Sequence, residues 1–241
     1  YKLLVLAFDD SSLPEEFRGM GRRASEVLRK LMAETRACVI VDPQRVRLQT
    51  PLNPERLWEL WKIGGIHAVV RGRIKEAMIA EEKTHALALV TVEAELLSTE
   101  TGQVVKGAFG QNPIRLSRTQ GPQRRMKALE KALEGALTEV RDSLLLGLSQ
   151  MEWNTSVIRV EGNAVYINAG RKSGLKVGEE LEVFAPGPEV HHPLTGAIIG
   201  RSPGPKKGSI RIEGFFGLDV AKAVILEGKG IAPGDMVKPT R

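Results

Sequence analysis

The spacing with the most chemistry in it is Gly19-Met20-Gly21-Arg22-Arg23-Ala24, which matches G-x-G-x-x-A. In dinucleotide-binding proteins such a loop brings backbone amides against a pyrophosphate at a helix N-terminus, and a carboxylate about 20 residues further on holds the ribose. Asp42 closes the next apolar run at about that distance. The match is incomplete, because the glycines should follow the first strand directly and residues 10–18 intervene. Pro14 and the acidic groups Asp10, Glu15 and Glu16 lie in that interval, where they would repel a pyrophosphate. A second run of parallel strand-helix units is also missing. Gly19 and Gly21 are therefore expected to form the loop into a packed helix, and no cofactor is expected.

The other reactive types are scattered. His191 and His192 adjoin Pro193 in a turn-rich stretch, while His67 and His85 lie far upstream. Adjacent side chains of an extended segment point apart and rarely share a metal, so these read as solvated loop histidines, with no metal site. The chain contains no G-x-S-x-G, H-E-x-x-H or Walker A sequence. Asp9 with Asp10, and Glu179 with Glu180, are sequence neighbours that read as a strand-end turn and a solvated rim. No catalytic residue is assigned, and the expectation is a protein that is not an enzyme.

What remains are surface candidates. Phe215-Phe216, flanked by Gly214 and Gly217, cannot both face inward on a strand, so one of them is expected to mark a partner surface or an interdomain contact. The remaining aromatics, among them Phe8, Trp58 and Phe109, stand in apolar patterns that predict core. Aromatic content is 5%, too sparse for a base-stacking face despite a sequence pI near 9.5, and no nucleic acid is expected. Basic residues group as Arg18, Arg22 and Arg23 before the first helix, as Arg118, Arg124, Arg125 and Lys127 around the start of the last, and as Lys206-Lys207. Solvated faces explain most of them. Converging clusters would suit an anionic lipopolysaccharide, a glycan or an acidic protein. Arg124 and Arg125 stand at a helix N-terminus, which the helix dipole disfavours, and a partner there would be one reason to keep them. The candidate partner surface is thus Arg22, Arg23, Arg124, Arg125, Phe215 and Phe216.

These residues hang on elements that the apolar pattern predicts. An apolar run over 3–8 precedes a helix with Met20, Ala24, Val27, Leu28 and Leu31 on one face, then a second run over 37–41. Asn53 and Pro54 are suited to cap and start a short helix through Leu57, Leu60 and Trp61, which Gly64-Gly65 ends before a strand over 67–74. Residues 86–96 alternate as a long strand that turns at Thr99-Glu100-Thr101-Gly102 and returns over 103–109 as a hairpin. From Gln123 a long helix carries Met126, Leu129, Leu133, Leu137, Val140 and Leu144 at three- and four-residue spacing, so it should pack back across the sheet. Of the 25 glycines, 14 lie from Met151 onward. There the texture is short strands over 157–160, 164–167, 180–184, 198–201, 209–213, 221–226 and 236–238, the pattern of a small β-barrel or sandwich. A turn recurs in it, Gly174-Leu175-Lys176-Val177-Gly178-Glu179 and Gly230-Ile231-Ala232-Pro233-Gly234-Asp235, with Leu175 or Ile231 placed to plug the core. The fold class is α+β, an α/β part with a mixed sheet over 1–150 followed by a small all-β barrel over 151–241.

Composition agrees. With 241 residues, 42% hydrophobic and 27% charged, the chain is long enough for one large core or two smaller ones, and its formal charge of +6 comes from interspersed signs. The nearly uncharged stretches 86–92 and 144–148 are far short of the roughly 20 residues a spanning helix needs. Cys38, the single cysteine, is expected to be a buried thiol. Tyr1-Lys2-Leu3-Leu4 opens as a strand under way, so a natural start is expected to have been removed.

The strand ending in Phe8-Asp9-Asp10, the glycine-bearing loop into a helix, Val39-Ile40-Val41-Asp42 and the hairpin at Thr99-Glu100-Thr101-Gly102 resemble the TolB N-terminal-like fold. That fold recurs in curli-secretion lipoproteins, in lipoprotein activators of penicillin-binding proteins and in the middle domain of the flagellar assembly protein T family. Val165-Tyr166-Ile167-Asn168-Ala169-Gly170, the two glycine turns and Pro193-Leu194-Thr195-Gly196 resemble the β-barrel that ends proteins of that flagellar family. The family carries a further domain before the position of Tyr1, so either that domain was removed or this is a shorter relative such as a lipoprotein. The resemblance implies a non-enzymatic periplasmic assembly or scaffold protein of the bacterial envelope, a ring component of a flagellar motor or secretion complex. It implies homo-oligomers, other envelope-complex proteins as partners, and outer-membrane association through a removed N-terminal segment. The alternative is a lipoprotein regulator that grips a periplasmic cell-wall synthase.

Overall fold

The computed structural model describes residues 1–46, 52–81, 85–117, 121–196, 198–202 and 204–240. Three parallel strands come first. β1 (Lys2–Val5) pairs on one side with β2 (Val39–Val41), reached through helix α1 (Met20–Glu34), and on the other with β3 (Ala68–Glu81), reached through α2 (Pro54–Gly64). Antiparallel β4 (His85–Ser98) and β5 (Val104–Gln111) extend the sheet, and β6 (Ile114–Ser117) pairs with β4 beyond the end of β5. The order is β2-β1-β3-β4-β5.

Local chemistry accounts for these elements. The Asn53 side chain accepts from the amide of Arg56, Pro54 starts α2, and Gly65 ends it in the left-handed region at φ 60°. β3 runs seven residues past the sequence expectation. A bulge between Ile74 and Glu76 resets the alternation, so Ile74 and Ala77 both face the core and the period of two is lost there. β6 is a four-residue strand the apolar pattern does not reveal.

α3 (Pro122–Ser149) lies across one face of the sheet and packs beside α1. Leu129, Leu133, Leu137, Val140 and Leu144 meet Ala88, Val90, Val92, Ala94 and Leu96 of β4, while Leu28 and Met32 come from α1, all buried. The helix and β5 approach closely. A Cβ added at Gly110 would stand 2.0 Å from the carbonyl oxygen of Ala136, so only glycine allows this distance. On the opposite face α2 covers a smaller core of Leu4, Leu57, Ile66 and Val69. Beyond α2 that face is charged, with Arg71 to Glu95 at 2.6 Å, Arg73 to Glu93 at 2.5 Å and Lys75 to Glu93 at 3.0 Å. Phe109 corrects the core expectation, because it points from β5 to this helix-free face and is 53% exposed.

After α3 the chain is all β. The strands are β7 (Thr155–Glu161), β8 (Ala164–Ile167), β9 (Glu180–Phe184), β10 (Glu189–His191), β11 (Ile198–Arg201), β12 (Lys206–Phe216), β13 (Val220–Gly228) and β14 (Met236–Pro239). Six of them close into an antiparallel barrel in the order β12-β13-β8-β7-β14-β9, while β10 and β11 form a separate hairpin. Val157, Val165, Ile167, Leu181, Val183, Ile210, Ile212 and Val237 fill the barrel. The repeated turns behave alike: Leu175 and Ile231 are buried in that core, and the glycines flanking them all have positive φ. In each turn the closing acid caps an amide three residues back, Glu179 that of Lys176 at 2.9 Å and Asp235 that of Ala232 at 2.7 Å. The chain is α+β with a small closed barrel.

Candidate functional site

The dinucleotide-like loop is built, but a side chain of the protein fills it. Gly19 has φ 98° and precedes α1, and the Asp10 carboxylate accepts from the amides of Gly19 at 2.7 Å and Gly21 at 2.9 Å. An anion therefore already occupies the helix N-terminus where a phosphate would sit. A Cβ on Gly21 would stand 2.1 Å from the carbonyl oxygen of Phe8, so Gly21 serves the contact between α1 and the end of the first strand segment. Asp42 instead caps the amide of Gln44 at 3.0 Å and lies 3.9 Å from Arg45.

Nor do the histidines converge. His191 and His192 organise the turn of the β10–β11 hairpin: the His191 ring bonds the carbonyl of Gly196 at 3.0 Å, and His192 Nδ1 accepts from the amides of Leu194 and Thr195. Among the described residues no group of three or more His, Cys, Asp or Glu is placed to hold a metal. Cys38 is buried, which raises its thiol pKa to about 11.

The predicted surface residues divide between two places. α1 and α3 bring their N-terminal turns together, so Arg18 and Arg23 share a groove with Met126, Leu129 and Glu130. Arg22 and Arg124 are exposed, Arg23 lies 4.0 Å from Glu26, and Arg125 pairs at 2.8 Å with Glu81 at the end of β3. That ion pair supplies an internal reason for a cation at the start of α3. Arg118 lies outside the described residues. Phe215 and Phe216 belong to the barrel and take no part in this groove. Phe215 packs on the barrel core beneath the Arg171 guanidinium, 5.5 Å from the ring centre, while Phe216 is half exposed with its edge against Tyr166. Lys206 and Lys207 pair within the barrel, with Glu182 at 2.7 Å and Asp235 at 2.8 Å.

Among the described residues, the buried polar groups Lys2, His67, Asn154 and Asp219 meet at a place the sequence did not reveal, the seam between sheet and barrel. Lys2, at the start of β1, donates from Nζ to Asn168 O at 2.8 Å and Asn168 Oδ1 at 2.9 Å, and lies 3.5 Å from Asp219 Oδ2. Asp219, in the β12–β13 turn, also accepts from the amide of Ser173 at 3.0 Å and from its hydroxyl at 2.5 Å. Both charges are buried. Burial lowers the Lys2 pKa, and Asp219 works against that shift. His67 Nδ1 accepts from the Lys2 amide at 2.9 Å, which leaves Nε2 to donate to Asn154 O at 2.6 Å. Burial keeps this ring neutral, with its pKa lowered to about 3. Trp61 Nε1 donates to Asn154 Oδ1 at 2.7 Å, and Asn168 Nδ2 to Ile63 O at 2.9 Å.

The β10–β11 hairpin clamps the same seam from outside. The Arg201 guanidinium lies 3.8 Å over the Trp58 ring and pairs with Glu189, and Gln103 Nε2 donates to Ile198 O at 2.6 Å. Trp58 is thus half buried by the barrel side of the molecule. Glu100, in the predicted hairpin turn, has its pKa raised by burial, with Lys238 and Arg201 opposing. Lys2 shows in the sequence as a lone cation in an apolar run, the one signal that a buried partner was needed. Its partner is 217 positions away and gives no local sign.

Fold and seam together define the class: a helix-backed mixed sheet joined through a buried polar network to a closed six-stranded barrel. No family model and no curated protein matches the sequence. Among solved structures the chain is similar to the PelC dodecamer from Paraburkholderia phytofirmans, at 16% identity over 58% of this chain and 87% of that one, with a TM-score of 0.38. It is similar to lipoprotein GNA1162 from Neisseria meningitidis, at 17% identity over 55% of this chain and 94% of that one, with a TM-score of 0.37. A minor lipoprotein from Acinetobacter baumannii matches at 9% identity over 61% of this chain and 94% of that one, again with a TM-score of 0.37. These neighbours are bacterial; two of them are described as lipoproteins and one as a dodecamer. No helix among the described residues is long and apolar enough to cross a membrane.

Proposed function

We propose that the chain is a non-enzymatic scaffold of the bacterial periplasm, a ring component of an envelope complex such as a flagellar motor or secretion system. It is organised as two domains, 1–150 for self-association and 151–241 for a second contact with envelope partners. The observation that carries the reading is that, among the described residues, the six-stranded sheet ends in two different strands that pair on one side only, β2 at one end and β5 with β6 at the other. A ring requires a heterologous contact between two unlike surfaces of one subunit, and an uncovered strand edge offers a row of unpaired backbone donors and acceptors. The β5 edge carries Val104, 46% exposed, and Phe109, whose ring stands in solvent. Support for a non-catalytic role comes from how the chemistry-bearing groups are used: Asp10 fills the α1 N-terminus, and both nitrogens of His67 are committed to backbone partners.

Mass photometry of the full chain tests this. Higher oligomers are expected, and Val104→Lys with Phe109→Asp should return monomers with an unchanged melting temperature. A wild-type chain that stays monomeric at all concentrations and instead captures a cell-wall synthase would replace the ring with the regulator.

A further inference from the structure

Leu218 and Lys172 of the barrel and Arg45 and Gly64 of the sheet side line one cleft of about 430 Å³. Around it the largest exposed aliphatic groups of the junction stand out: Ile63 at the end of α2, 75% exposed, and Leu218 in the β12–β13 turn, 64% exposed. Phe216, 50% exposed, is on the same turn, which Gly217 makes tight at φ 61°. Arg171, Lys172 and Arg45 are exposed beside them. Asp219, the acid nearest the tip, is buried against Lys2 and Ser173, so its charge is neutralised inside, and Asp42 is the exposed acid of the cleft.

We infer that this junction is a membrane-contact surface that sets Phe216, Leu218 and Ile63 into the interface of an anionic phospholipid layer. Shape and charge both select this occupant. The apolar groups stand exposed at a hairpin tip and a helix end beside the cleft, where a lipid interface can take them up without a matching surface. The cations stand beside the apolar tip, where they meet phosphate headgroups as it enters. Asp219 makes the surface rigid: by holding the Arg171-Lys172-Ser173 turn and the hairpin tip together, and both to Lys2, it fixes cations and apolar groups in one constellation before binding. The cleft also reaches β2, one of the two sheet edges, through Val39, Ile40 and Val41, while Phe216 and Leu218 stand on the barrel side of it.

Co-sedimentation of the full chain with phosphatidylethanolamine/phosphatidylglycerol vesicles tests this, with phosphatidylcholine vesicles as the neutral comparison. Binding to the anionic vesicles at low ionic strength, weakened by salt, is expected. The exposed double variants Phe216→Ser/Leu218→Ser and Arg45→Glu/Lys172→Glu should each lower the partition coefficient about tenfold or more while leaving the melting temperature within error of wild type. Equal binding to neutral vesicles, or binding that both variants retain, overturns the proposal. Failure to bind vesicles overturns it too, and retention on an immobilised acidic peptide under the same conditions would then assign the surface to a protein partner.

Discussion

At the scale of single residues, His67 is the group whose environment makes the most definite demand. Its ring is sealed between the Lys2 amide and the Asn154 carbonyl, and burial lowers its pKa to about 3. In the unfolded chain the same ring titrates near its ordinary value of about 6.5. The unfolded state therefore binds the extra proton across the interval between the two values. Stability from the neutral ring is fully present above about pH 6.5 and is lost as pH falls toward about 3, by at most about 1.4 kcal/mol per pH unit. Urea unfolding at a series of pH values should show this slope in the wild type. His67→Gln, which keeps a donor and an acceptor but does not titrate in this range, should be flatter; identical slopes would show that another group carries the acid sensitivity.

At the scale of elements, the contact of α3 on β5 is set by an absent side chain. Gly110→Ala would push a methyl group to within 2.0 Å of the Ala136 carbonyl oxygen, a backbone atom that cannot rotate away. Loss of about 2 kcal/mol is expected from displacing the helix against the strand, readable by chemical denaturation. The matched substitution Gly107→Ala meets open space and should cost far less. The elements themselves were largely legible beforehand. Asn53, Pro54 and Gly65 mark both ends of α2 because caps are local chemistry, and the heptad-like row from Leu129 to Leu144 marks α3 because burial on one helix face has a period the sequence must carry. The second half of β3 was not legible, since its bulge breaks that period. Phe109 misled for a related reason: strand alternation tells which residues share a face, while which face is covered depends on where α3 lands.

At the scale of the whole molecule, the seam couples the two halves. Its ties join positions 65 to 217 residues apart, from Lys2 to His67 and from Lys2 to Asp219. Removing one partner of such a buried ion pair leaves the other charge without compensation. Lys2→Met is therefore expected to destabilise by on the order of 3 kcal/mol, because Asp219 stays buried beside an apolar side chain. Calorimetry should show one cooperative transition for the wild type and a lower one, split into two, for the variant, as sheet and barrel melt separately. A single unshifted transition would mean that the network adds nothing to coupling. Asp219→Asn combined with Lys2→Met removes both charges and should recover much of the loss, which distinguishes charge burial from a general disturbance of β1.

From sequence alone follow the alternation of strand and helix in the first half, the capped and glycine-ended helices, the short strands of the barrel and the paired glycine turns that plug it. Each of these rests on neighbours within a few positions, where backbone preference and apolar spacing act directly. Tertiary structure alone decides that Asp10 fills the glycine loop, that Lys2 meets Asp219, that Phe215 turns inward while Phe216 stays in solvent, and that Arg201 closes over Trp58. Those outcomes depend on which surfaces come together, and the free energy of burying a charge or a ring is set by the partner that arrives from across the chain.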